Sequence, residues 1–291
     1  MSKRRILMGL IGKNIMGSLS PALFADAFEA AGIDGFYHLM DVDRLRGRTL
    51  PQLLEAIKAA GFAGANITYP FKQDIIALLD AVDPTAMQTG AINTVVIAPD
   101  SHTTGHNFDR PGWLNSFAEN FGRDRAKGTS VVQIGAGGAG HAVACALMDL
   151  GVTQLIIHDL DPARANALCG NLAKHFGAYR CRVARDLERD IADADGIVNA
   201  TQVGMRGFPG NPVPASALKS SQWCADVIYT PIETEFLKAA AAKGARVLNG
   251  AGMCVHTAVE AFRLFTGIAP DVARLHAAFA KALVERDTNG G

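Results

Sequence analysis

Two groups of residues in this 291-residue chain have types and spacing that do chemistry. The first is Gly135-Ala136-Gly137-Gly138-Ala139-Gly140, a G-x-G-x-x-G run directly after the apolar stretch Ser130–Ile134 and directly before an apolar helical pattern over Ala142–Leu150. A tight turn and the close approach of a pyrophosphate to the backbone leave no room for Cβ atoms, and the following helix offers N–H groups and the positive end of its dipole. The run alone is a weak signal, but strand, helix and a next strand, Gln154–His158 ending in Asp159, all fall into place for a dinucleotide site. An acidic side chain at that strand end accepts hydrogen bonds from both adenosine ribose hydroxyls and repels a 2′-phosphate, so NAD is expected in preference to NADP. Arg164 is the nearby side chain that could still reach such a phosphate. The second group is centred on Lys72. Hydride transfer from an alcohol needs a side chain that takes the hydroxyl proton as the carbonyl forms. Lys72 follows a strand ending Asn66-Ile-Thr68 and the rigid turn Tyr69-Pro70-Phe71, which fixes its position.

These residues need elements to position them. Ile6–Ile11 reads as a buried strand, and Ser20-Pro21 as a helix start with Ser20 as the N-cap. Leu23, Phe24, Ala27, Phe28 and Ala31 then recur at helical spacing until Gly32. The theme repeats with strand Phe36–Met40 and a helix over about Thr49–Ala60, then with strand Ala63–Ile67 and a helix holding Ile75, Ile76, Leu78 and Leu79. Strands alternating with helices imply an α/β fold with a mainly parallel sheet. Ile92–Ala98 and His102–Gly105 flank Pro99-Asp100 as a hairpin. The β–α series restarts near residue 110, after which the strands Gly196–Asn199, Trp223–Tyr229 and Arg246–Leu248 end in Asn199-Ala200-Thr201, Asp226-Val227-Ile-Tyr229 and Asn249-Gly250. In a doubly wound sheet these endings converge on the nicotinamide side of the cleft, with Met253 walling it. The expected division is a substrate-binding α/β domain over 1–109, completed by helices within 250–291, and a Rossmann-type cofactor domain over 110–249.

Composition narrows the function. With 28 basic and 28 acidic residues, 49% hydrophobic and 19% charged, the chain shows no electrostatic footprint for nucleic acid or an anionic membrane. Arg44, Arg46 and Arg48 read as a solvated loop. The apolar run Ile6–Ile11, interrupted by Gly9, is too short for a signal segment or a membrane span. Five scattered cysteines without a Cys-x-x-Cys pair read as reduced residues of a cytoplasmic protein, and no metal site is expected. A small-molecule enzyme is what remains.

Taken in order, Ser18-x-Ser20-Pro21, Asn66-Ile-Thr68-Tyr-Pro-Phe-Lys72, Gly90-Ala-Ile-Asn93-Thr94 and Gly105-His-Asn107-Phe108-Asp109, ahead of the glycine run and Asn199-Ala-Thr201, resemble the shikimate dehydrogenase family over essentially the whole chain. The segments His158–Asp161, Tyr229–Glu235 and Ala261–Gly267 are most similar to its NAD-using quinate/shikimate branch. The resemblance implies oxidation of one ring hydroxyl of a cyclohexane or cyclohexene carboxylate. It also implies Lys72 and Asp109 as the catalytic pair, Ser18, Ser20 and Tyr229 on the substrate carboxylate, and Thr68 and Asn93 on its ring hydroxyls. Three positions depart from the family pattern. Phe108 and Arg110 flank Asp109 where threonine and glycine are usual, and Thr257 stands where a glutamine reaches the substrate. Shikimate, quinate and an aminated analogue therefore all stay open as substrates, as do monomer and homodimer. The reading from another class is a non-catalytic NAD-binding regulator; the intact Lys72 and Asp109 weigh against it.

Overall fold

In a computed structural model, which describes residues 4–288, the first apolar run forms β1 (Arg5–Gly12). It pairs in parallel with β2 (Asp34–Asp41) on one side and β3 (Gly64–Ile67) on the other. Helix α1 (Ser20–Ala31) and α2 (Leu50–Ala59) are the connecting crossovers. The expected hairpin is present as β5 (Thr94–Ile97) and β6 (Thr103–His106), and β5 lies antiparallel to β3. A two-residue strand β4 (Ala81–Val82), followed by α3 (Pro84–Thr89), closes the sheet in the order β2-β1-β3-β5-β6-β4. This sheet, residues 1–108, forms one compact unit with residues 255–291. In that unit Phe262 packs at 6.1 Å from Phe24 and 5.5 Å from Phe28, ring centre to ring centre, and Tyr37 stacks on Phe24 at 4.3 Å.

Asp109–Cys254 form the second unit. After α4 (Asp109–Phe121) its elements are β7 (Ser130–Ile134), α5 (Gly138–Asp149), β8 (Gln154–His158), α6 (Pro162–Phe176), β9 (Cys181–Val183), α7 (Leu187–Asp193), β10 (Gly196–Asn199), β11 (Trp223–Asp226), α8 (Glu235–Ala242) and β12 (Arg246–Leu248). The six strands are all parallel, in the order β12-β11-β10-β7-β8-β9. Numbered within the unit this is 6-5-4-1-2-3, the doubly wound dinucleotide-binding order. Both faces are covered, which is why the strands read as continuous apolar runs. Val131 packs with Trp113 and Trp223 on one face, and its neighbour Val132 with Ile156 and Phe236 on the other. The last two helices are α9 (Ala251–Thr266) and α10 (Val272–Thr288). Arg274 of α10 makes a forked pair with Asp26 of α1 at 2.7 and 3.1 Å.

Four expectations need correction. Ser20 is the first residue of α1 and not its N-cap: the buried Leu19 before it already has near-helical dihedrals, and the Ser20 N–H is taken by the Ser18 hydroxyl at 3.3 Å. The segment holding Ile75, Ile76 and Leu78 is a short 3₁₀ turn, Asp74–Leu78, with only Ile75 fully buried. Asp80 accepts from the Thr103 N–H and hydroxyl at 2.8 and 2.7 Å, which draws the chain into β4 instead of prolonging a helix. The strand expected to run to Tyr229 stops at Asp226, whose carboxylate takes the N–H of Ile228 at 3.0 Å. Finally, two of the five cysteines are not reduced. Cys169 of α6 and Cys181 of β9 are joined by a disulfide, with Cα atoms 5.4 Å apart, because α6 packs back on that strand.

Candidate active site

In the first unit, Ser18 and Ser20 place their hydroxyls 3.2 Å apart at the start of α1, both half-buried. Thr68 extends the end of β3, its N–H bonded to the Ile11 carbonyl at 3.0 Å and its carbonyl to the Phe71 N–H at 2.9 Å. The Tyr69–Pro70 bond within that turn is cis. Lys72 closes it, half-buried, with its carbonyl accepting the Ile92 N–H at 2.7 Å. The turn is therefore bolted to the sheet at both ends, as expected for a lysine of fixed position.

Asn93 is the best-organised of the sequence-predicted substrate residues. The Tyr37 hydroxyl donates to Asn66 Oδ1 at 2.8 Å, and Asn66 Nδ2 donates to Thr94 Oγ1 at 2.9 Å. Thr94 Oγ1 in turn donates to Asn93 Oδ1 at 3.0 Å, which also receives the Phe108 N–H at 2.9 Å. The chain of bonds sets the amide so that Nδ2 is its remaining donor. That nitrogen is buried and has no hydrogen-bond partner, a costly state that a ligand oxygen would relieve. Asn107 serves the backbone, its Nδ2 donating to the Ala91 carbonyl at 2.8 Å. Thr257 on α9 donates to the Phe108 carbonyl at 3.2 Å. Phe108 itself lies parallel to His106 at 5.9 Å, and the two rings line a cavity of about 470 Å³ with Glu260, Arg263, Leu264 and Gly267. Burial lowers the His106 pKa, with Asp83 opposing.

In the second unit the predicted cofactor residues gather at the carboxyl edge of the parallel sheet. Gly135 has φ +102°, and a Cβ there would lie 2.7 Å from the Ala200 carbonyl oxygen; at Gly140 it would run into the Gly135 carbonyl. The run thus requires glycine at its first and last positions, while Gly137, Gly138 and Ala139 turn the chain into α5. The Asp159 carboxylate accepts the Ala136 N–H at 2.7 Å and the Asp161 N–H at 2.9 Å, so it is held against the loop. Arg164 is largely exposed and lies 3.8 Å from Asp161. Asn199 Oδ1 accepts from the N–H and hydroxyl of Thr201 at 3.0 and 2.7 Å. Gly250 packs on the backbone of Val227 and Ile228, where a Cβ would not fit. Tyr229 is half-buried just beyond β11, and Met253 is buried in the core of this unit. Asp109, which opens α4, is 6% exposed.

Residues 10–95 match the family profile described as the shikimate dehydrogenase substrate binding domain. The quinate/shikimate dehydrogenase (NAD(+)) of Corynebacterium efficiens is 48% identical over 283 residues, covering 96% of this chain and 99% of that protein. The chain belongs to the shikimate dehydrogenase family. The shikimate dehydrogenase (NADP(+)) of Streptomyces avermitilis is 45% identical over 285 residues, covering 97% of each chain. Among solved structures, the quinate dehydrogenase from Corynebacterium glutamicum in complex with NAD superposes with a TM-score of 0.88 at 45% identity, over 96% of this chain and all of that one. Within this shikimate dehydrogenase family fold, no helix among the described residues is long and apolar enough to cross a membrane.

Four residues that sequence reasoning did not assign support the site. Asn66 and Tyr37 orient Asn93 through the bonds above. Gln133, fully buried on β7, donates from one amide nitrogen to the carbonyls of Gly135 at 2.8 Å and Gly140 at 2.9 Å, spanning the glycine run from beneath. Asp226, 1% exposed, accepts from Asn199 at 3.2 Å and from the Thr234 hydroxyl at 2.8 Å. Burial pushes its pKa up to about 6 against the pull of its hydrogen-bond donors. The available signal was a polar residue inside or at the end of an apolar strand, Val-Val-Gln133-Ile and Cys-Ala-Asp226.

Proposed function

We propose that this chain is a dehydrogenase that transfers a hydride reversibly between NAD and a ring hydroxyl of shikimate or a close cyclohexane or cyclohexene carboxylate. The observation that carries the cofactor choice is Asp159, fixed at the end of β8 by the Ala136 N–H. A carboxylate there favours free ribose hydroxyls and opposes a 2′-phosphate. The glycine run fits a dinucleotide, because only glycine leaves backbone space at Gly135 and Gly140 and α5 begins within the run. Gly135 to Gly140, Asn199 to Thr201, Val227 and Gly250 would hold the cofactor, whose nicotinamide supplies the hydride acceptor when bound.

The chain's own groups do the rest. Lys72 exchanges the hydroxyl proton, and the Asp109 carboxylate orients the alcohol. Ser18, Ser20 and Tyr229 bind the substrate carboxylate through neutral donors. Thr68 and Asn93 read the remaining hydroxyls, with the unpaired Asn93 Nδ2 the donor available for one of them. Each such group costs about 1–3 kcal/mol if a wrong substrate leaves it unmatched. A second reading, quinate as the preferred substrate, draws support from the likeness to the Corynebacterium glutamicum quinate dehydrogenase. Initial rates with shikimate, quinate and an aminated analogue, each with NAD and NADP, test both readings. Turnover of at least one carboxylate with NAD preferred is expected; NADP preferred more than about tenfold, or NAD binding without turnover of any of them, overturns the proposal.

A further inference from the structure

Arg110 follows Asp109 in the first turn of α4, a poor place for a cation by helix-dipole reasoning alone. Its guanidinium does not stay at that helix end. Nε donates to Asp149 Oδ2 and Nη2 to Asp149 Oδ1, both at 2.7 Å, a two-pronged pairing with the last residue of α5. The same guanidinium lies 5.6 Å from the ring centre of Phe176, the last residue of α6. It therefore sits at the carboxyl ends of two helices, where their dipoles favour positive charge. The side chains of Arg110 and Asp149 are only 15% and 27% exposed, so water screens the pair less than it would a surface one. A planar fork fixes both direction and distance, which a point charge does not.

From this geometry we infer that Arg110 is a positioning residue for Asp109: it clamps the first turn of α4 to the ends of α5 and α6 and so sets where the neighbouring carboxylate is presented. The inference rests on the proposed role of Asp109. Misplacing a reacting group by about 1 Å costs on the order of a hundredfold in rate. The glycine run lies at the opposite end of α5, about 18 Å away for a twelve-residue helix, so cofactor binding is outside the clamp's reach.

The test compares Arg110→Ala, Arg110→Lys, Asp149→Ala, the double variant and Asp109→Asn in the full chain, reading kcat, KM for substrate, NAD affinity by fluorescence titration, and Tm. Expected are a loss in kcat of about tenfold or more for Arg110→Ala and Asp149→Ala alike, no further loss in the double variant, partial recovery with lysine, and unchanged NAD affinity. A lower Tm with kcat intact, or losses that multiply in the double variant, overturns the inference and leaves the role of Asp109 standing. Full activity in Asp109→Asn overturns that role and the inference with it. Should Arg110→Ala fail to fold, Arg110→Lys and Asp149→Ala carry the same comparison.

Discussion

The Thr234 hydroxyl donates to Asp226 Oδ2 at 2.8 Å while its oxygen accepts the Leu237 N–H at 3.3 Å, so a buried carboxylate is chained to the N-cap of α8. Through Asn199 and the N–H of Ile228 the same carboxylate also holds the ends of β10 and β11.

Burial raises the Asp226 pKa from 3.8 to about 6, which fixes the sign of a pH effect on stability. The folded protein binds this proton more tightly than the unfolded chain. The contribution is complete below about pH 4 and is lost as pH rises through about 6. At about 1.4 kcal/mol per unit it amounts to about 3 kcal/mol. Urea denaturation of wild type and Asp226→Asn at constant ionic strength should show the wild type losing about 2–3 kcal/mol relative to the variant between about pH 4 and pH 7. Parallel curves would count against the assignment.

Asn93→Asp keeps an acceptor for the Phe108 N–H and the Thr94 hydroxyl but removes the buried Nδ2 donor. If that donor binds substrate as proposed, its loss should raise the substrate KM by about tenfold or more. The KM for NAD should not move. Equal KM values for substrate in the two proteins would take Asn93 out of the binding site.

Asp159→Ala removes the carboxylate that holds the Ala136 N–H and that is proposed to meet the adenosine ribose. Discrimination against NADP should fall by about tenfold or more, chiefly because KM for NAD rises. An unchanged NAD-to-NADP ratio of kcat/KM would show that cofactor choice lies elsewhere.

Thr257 spends its hydroxyl on the Phe108 carbonyl. Replacing both residues by the usual family types, Thr257→Gln with Phe108→Thr, should raise kcat/KM for shikimate. If the double variant and wild type have the same shikimate kinetics, these two departures do not set substrate preference.

What could be read in advance follows the range of the interactions. The glycine run, its flanking strands and Asp159 lie within 30 consecutive positions, 130–159, and each is dictated by local backbone demands, so the cofactor unit is recognisable from the sequence. Helix α2 was equally local, Thr49 and Gln52 forming its capping box. The groups that organise the site were not local. Asn66 works through Tyr37 and Thr94, 29 and 28 positions away, and Arg110 through Asp149, 39 positions away. The Cys169–Cys181 pairing depends on a helix folding back on a strand, which cysteine spacing does not reveal. Likewise the edge-to-face packing of His256 on His276, 5.7 Å between ring centres, joins two helices with no sequence periodicity in common. Ile75, Ile76, Leu78 and Leu79 have helical spacing, yet the chain makes only a short turn at Asp74–Leu78, because Thr103 holds Asp80 from 23 positions away.

The first unit is assembled from two separated stretches of chain, and this orders its making on the ribosome. Asp109–Cys254 is contiguous and has all its strands as soon as it emerges. Phe24 and Phe28, by contrast, are synthesised long before Phe262, the ring they pack against. The earliest-made segment therefore carries an aromatic surface that stays uncovered until Phe262 has been made.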